Sequence, residues 1–263
     1  MRAAVREGRE LLGALRGELG AAPAGALAVS GLLAEQLARE LGAGAEPGAV
    51  AVDPPGLHGV EAVVRVLAGE PGDADRALVR DAERAGIPVV VVQLWPQEDR
   101  TPPFLLTPFV VECRAGAGFP VDEIAARVAE ASAHAPALAA RVPVLRAAVA
   151  SALVRRAVVR AALTAALRGR ARAVRPQLVR EQAGLLARLR VLAGGSASAA
   201  APSALAVPAA LACGAGFGLR AVARLGRRSL PGPLADAAVA AAGTWALAEA
   251  FRRLGTAAGG ASR

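Results

Sequence analysis

The chain has 263 residues, 54% of them hydrophobic and only 3% aromatic, with two cysteines, no lysine, asparagine or tyrosine, and a formal net charge of +9. That length accommodates one large or two modest cores, and two thiols 100 residues apart (Cys113 and Cys213) build neither a disulfide framework nor a metal knot. The charge is segregated: residues 1–134 hold 12 Arg against 19 Asp/Glu, a net of −7, while 135–263 hold 19 Arg against 3 acids, a net of +16.

A compositional bias toward Arg acts on both halves alike, so it does not create this asymmetry. The split predicts an acidic α/β domain over 1–134 and a basic, Ala/Arg-rich helical domain over 135–255, the latter suited to an anionic partner. A disordered tail is expected over 256–263.

Taken in order, residues 3–20 carry Val5, Leu11, Leu12, Leu15 and Leu19 at near-helical spacing. The first ten residues mix charges without an apolar core, so no secretory signal is expected and a reducing cytoplasmic setting follows. Ala26–Ser30 reads as a strand turning at Gly31 into a helix that runs to about Leu41. Ala49–Asp53 and Val60–Ala68 read as further strands. Asp73 is the expected N-cap of a helix to Ala85, with Asp75 opposing the helix dipole. Ile87–Leu94 is a β-branched run of the kind that forms a central parallel strand. Phe109–Cys113 is another strand, after a Pro-rich loop, and 121–133 a helix with Asp122 and Glu123 at its start. This alternation predicts a doubly wound α/β domain.

Beyond Pro136 no strand signal remains. Helices are expected over 137–168, interrupted at Pro143, over 176–192 and over 234–251. Ala199–Leu219 has no charge, so 199–251 is a candidate apolar hairpin, although Pro202, Pro208, Asp236 and Glu249 all weigh against burial in lipid.

The chemistry-bearing residues sit at strand ends. Val29-Ser30-Gly31-Leu32-Leu33 occupies the place of a phosphate loop, but has one glycine and neither the Lys nor the following Ser/Thr. A tight turn needing Gly for packing is the plainer reading of Gly31. Asp53-Pro54-Pro55-Gly56 follows a strand directly, in the position of a GTPase Asp-x-x-Gly element. Ser30, Gly31, Asp53 and Gly56 are therefore the candidate nucleotide-contacting residues. The guanine-reading motif is replaced by Gln93-Leu94-Trp95-Pro96. Ser30 lacks the glycines of a nucleophile elbow. His58 and His134 read as surface or packing residues. No catalytic residue, metal ligand or cofactor is expected.

The element order, together with Leu138-Ala139-Ala140-Arg141-Val142-Pro143-Val144-Leu145-Arg146, Gly214-Ala215-Gly216-Phe217-Gly218-Leu219-Arg220, Leu230-Pro231-Gly232-Pro233 and Ala242-Gly243-Thr244-Trp245-Ala246-Leu247, resembles bacterial proteins in which a GTPase-type domain precedes a YcjF-like helical domain. The resemblance covers about residues 137–253 and is a degenerate echo over 1–134. It implies a pseudo-GTPase head on a membrane-associated helical tail at the cytoplasmic face of the inner membrane, acting as a non-catalytic scaffold or regulator. A soluble cytoplasmic protein is the alternative localisation. Arg155, Arg156, Arg160, Arg220, Arg224, Arg227 and Arg228 are the expected contacts to an anionic membrane surface. Two other functions remain open: a divergent nucleotide-binding protein using Gly31 and Asp53, and Arg-mediated nucleic-acid binding, which lacks any supporting motif.

Overall fold

Val89-Val90-Val91-Val92-Gln93-Leu94 is buried along its whole length, and that fixes its position at the interior of the sheet. A strand covered on both faces cannot alternate polar and apolar residues, so it reads as a continuous β-branched run. The computed structural model describes residues 25–96, 107–168 and 237–250, with helical residues 181–182, 184–186, 188–189 and 192.

Five strands form one parallel sheet: β1 (Ala26–Gly31), β2 (Val50–Val52), β3 (Val60–Ala68), β4 (Val89–Leu94) and β5 (Val110–Cys113), in the spatial order β2-β1-β3-β4-β5. Helix α1 (Ala34–Leu41) connects β1 to β2, α2 (Asp73–Arg84) connects β3 to β4, and α3 (Val121–Ala131) follows β5. The crossovers leave β1 and β3 in opposite directions. Right-handed connections then put α1 and α2 on opposite faces of the sheet.

The two faces separate by the period of two along each strand. Ala28, Val63, Leu67, Val89 and Val91 pack with Val79 and Ala82 of α2. Leu27, Val29, Val64, Val66, Val90 and Val92 are equally buried and project the other way, where α3 lies against β3, β4 and β5. The β2–β3 connection carries no helix: residues 53–59 run past β1 in an irregular segment. Most parallel crossovers use a dozen or more residues and a helix. Among the described residues, the Pro-Pro-Gly loop and Leu57 cover the sheet face over β1 there.

One expectation shifts. The cap of α2 is not Asp73, which is the first helical residue. Asp75 accepts the Gly72 amide at 2.8 Å, because its position three residues past the N-cap lets the carboxylate reach back.

The chain divides into two compact units, one of residues 22–152 and the other of residues 1–21 with 153–263. Helix α4 (Ala135–Arg141) and a 3₁₀ turn (Pro143–Leu145) pack on α3, with Leu138, Val142 and Leu145 fully buried. Polar ties reinforce them. Arg141 donates to Glu46 and to the Gly25 carbonyl, both at 3.3 Å, and its own carbonyl accepts the Glu46 amide at 2.9 Å. Ser132 Oγ donates to Glu61 Oε1 at 3.0 Å, and the His134 ring nitrogen lies at the same distance from that oxygen. Charge pattern marks where composition changes, whereas burial decides where the core ends.

Helix α5 (Arg146–Arg168) follows, and every described residue from Leu153 onward is helical. Ala161 and Ala165 pack on Ala240. Gln182 Nε2 donates to Thr244 Oγ1 at 3.2 Å, and that hydroxyl donates to the Ala240 carbonyl at 2.8 Å. Small side chains bring these backbones close enough for the hydroxyl to be satisfied inside. Among the described residues no helix is long and apolar enough to cross a membrane. The expected helix over 3–20, the stretch 199–219, the arginines from Arg220 to Arg228 and the tail 256–263 lie outside the described residues.

Candidate functional site

In an open α/β sheet, ligands bind at the carboxyl ends of the strands where the winding reverses. Here that point is between β1 and β3, and the sequence places Ser30, Gly31 and the Asp53–Gly56 loop beside it.

Gly31 has φ of +100°, and a Cβ built there would meet the Val66 carbonyl oxygen of β3 at 2.2 Å. No other residue fits, so the close approach of two strand backbones accounts for this glycine. Only Leu32 and Leu33 separate β1 from α1, and both are exposed. A phosphate cradle needs a longer loop that aims several amides inward. The Gly31 amide is already engaged, donating to Asp53 Oδ1 at 3.2 Å. A carboxylate thus sits where a phosphate oxygen would have to bind, and it repels further negative charge.

Below this turn, a groove of about 680 Å³ opens on the face that the β2–β3 connection leaves uncovered. Its floor includes Ser30 and Arg65, which are neighbours in the β1–β3 ladder. Pro54 and Pro55 wall one side and Leu78 of α2 the other. Arg65 Nε and Nη2 both donate to Asp75 Oδ1, at 2.8 and 2.7 Å, so Asp75 serves the cap and the ion pair together. Arg84 and Asp81 pair at 2.6 Å at the other end. The Ser30 hydroxyl is buried and has no hydrogen-bond partner among the described residues. The groove combines apolar and polar walls with matched charges, which suits recognition. Among the described residues no histidine or carboxylate is hydrogen-bonded to Ser30 as the activating base of a nucleophile would be.

Ser30, Gly31, Asp53 and Gly56 are therefore brought together at one edge, with Ser30, Asp53 and Gly56 lining the groove. Arg155, Arg156 and Arg160 lie exposed on α5, while Arg220, Arg224, Arg227 and Arg228 fall outside the described residues. Among the described residues no cluster of His, Cys, Asp and Glu is built to hold a metal. His58 is exposed, and His134 faces Glu61 as part of the junction described above.

Sequence reasoning missed Arg65 as a groove residue. The signal was present: a lone cation in Val63-Val64-Arg65-Val66, on the same face as Ala28, is a charge placed inward within a central strand. Cys113 is buried, with its thiol 3.1 Å from the Gly118 carbonyl, and burial raises its pKa above the ordinary thiol value.

No protein-family model, curated protein or solved structure matches this chain.

Proposed function

We propose that this chain is a non-catalytic binding or scaffold protein, in which a degenerate GTPase-like, doubly wound head is carried on a basic, all-helical YcjF-like tail. The single observation that carries the non-catalytic reading is the Gly31 turn: two residues long, with its amide held by the Asp53 carboxylate. Nucleotide hydrolysis requires phosphates cradled by backbone amides and a cation, and the chain supplies no lysine at all.

The order β1, turn, α1, β2, Asp53-Pro54-Pro55-Gly56, β3 supports descent from the GTPase arrangement. The helical residues from Leu153 onward and the exposed Arg155, Arg156 and Arg160 support a basic tail that holds the head at the cytoplasmic face of an inner membrane. The test pairs two measurements on the full chain. Calorimetric titration with GTP, GDP and ATP in magnesium should give no saturable heat. Fractionation should leave the protein with membranes in low salt. Nucleotide turnover would sink the first part, and a protein absent from the membrane pellet in low salt the second.

The groove beside Asp53 favours one second reading, a divergent nucleotide site. Saturable binding that Asp53→Ala weakens would establish it.

A further inference from the structure

Seven large apolar residues are exposed among the described ones, and four of them gather at the carboxyl edge of the sheet. Leu32 and Leu33 follow β1, Val52 ends β2 and Trp95 follows β4, each between 40% and 52% exposed. Ala68, ending β3 between them, is exposed too. The same edge holds all three non-glycine residues with positive φ among those described: Leu33 at 58°, Asp53 at 39° and Trp95 at 49°. Bulky residues in this region of conformational space are strained by about 1–3 kcal/mol each, and folds retain such strain mainly where it serves a site. Exposed acids surround these apolar residues: Glu35 in the first turn of α1, Asp53, Glu70, and Asp73 at the start of α2. An anionic lipid surface would be repelled here. The edge calls for a partner that is apolar and basic at once.

The chain itself displays such a surface. Val159 and Leu163 on α5 are 52% and 55% exposed. They continue the stripe begun by Arg155, four residues apart each time, and Arg156 and Arg160 form the adjacent row. All three arginines are exposed.

We propose that the carboxyl edge of the sheet is a docking surface for the α5 stripe of a second copy of this chain. Val159 and Leu163 of one copy pack on Leu32, Leu33 and Trp95 of the next, and the arginines meet the acidic rim. The contact joins two different surfaces, so it is heterologous: each pair keeps one free edge and one free stripe, and growth continues with concentration. The proposal does not depend on whether the head binds nucleotide.

Sedimentation of the full chain in a mild detergent tests it. The average mass should rise with concentration above the 26.3 kDa of one chain, and less steeply at high salt. Trp95→Glu and the pair Arg156→Glu/Arg160→Glu should each weaken association by about thirty-fold, the effect of losing one interface anchor. Leu32→Glu is a second edge variant should Trp95→Glu fail to fold. The decisive mixture combines an edge variant with the arginine variant. Each retains one intact surface, so the mixture should form pairs and stop there. A single-chain mass at every concentration, association untouched by either edge variant, or a mixture that stays monomeric would overturn the proposal.

Discussion

The Asp53 carboxylate accepts the Gly31 amide at 3.2 Å, tying the end of β2 to the end of β1. The Asp53 amide in turn donates to the Val29 carbonyl at 2.9 Å. Because the carboxylate is exposed, Asp53→Ala should cost only about 1 kcal/mol in urea unfolding. Gly31→Ala is different in kind: a Cβ at 2.2 Å from a backbone oxygen, on a φ of +100°, forces β1 and β3 apart. That variant should lose more than about 3 kcal/mol. Equal losses for the two would refute the packing account of this glycine.

Ser30 keeps a buried hydroxyl without a partner among the described residues. Deleting it removes an unmet desolvation cost, so Ser30→Ala should match the parent or exceed it by about 1 kcal/mol in thermal unfolding. A clear loss of stability would mean the hydroxyl has a partner after all.

Arg65 and Asp75 face each other across β3 and α2 with little exposure, 23% and 12% of their side chains. Asp75→Ala strands the guanidinium beneath α2 and also uncaps the helix, so about 3 kcal/mol should be lost. The double variant Arg65→Met/Asp75→Ala should recover part of this. Additive losses, measured by a double-mutant cycle, would show the two groups to be independent.

Arg141 bonds to groups 95 and 116 residues away in the chain. Arg141→Ala should destabilise the head by about 2 kcal/mol. A fragment ending at residue 134 should unfold well before one ending at 152, as read by circular dichroism. Indistinguishable melts would show that residues 135–152 add nothing to the stability of the sheet.

Cys113 should be slow to alkylate near neutral pH, since burial holds its thiol protonated beyond the ordinary range. The sign for stability follows. In the window above the usual thiol pKa, the unfolded chain has released this proton and the folded chain has not. Stability should therefore fall as pH rises through that window. The Cys113→Ala variant should lose that part of the slope when urea midpoints are compared across pH.

The sheet was readable because its signals are local. Four consecutive valines at Val89–Val92, followed by Leu94, need no partner information to be read as a buried strand. Ser30, Gly31, Asp53 and Gly56 were likewise legible as a group, each lying at a strand end that parallel topology brings to one edge. What escaped depends on distance. Nothing in Arg141 itself announces a bond to Gly25, 116 residues away in the chain. The exposure of Trp95 was equally hidden, because neither its 52% exposed side chain nor its φ of +49° is marked by anything in Gln93-Leu94-Trp95-Pro96.

The latch at Arg141 also carries a timetable. During synthesis, β1 through β5 are complete once Cys113 has emerged, yet the arginine that grips Gly25 and Glu46 leaves the ribosome 28 residues later. At ordinary elongation rates the delay is on the order of seconds. Through that interval the nascent sheet stands without the helical strap of residues 135–145. Only when that short piece arrives can the bonds to Gly25 and Glu46 form, so the opening of the basic half is what closes the sheet built by the acidic one.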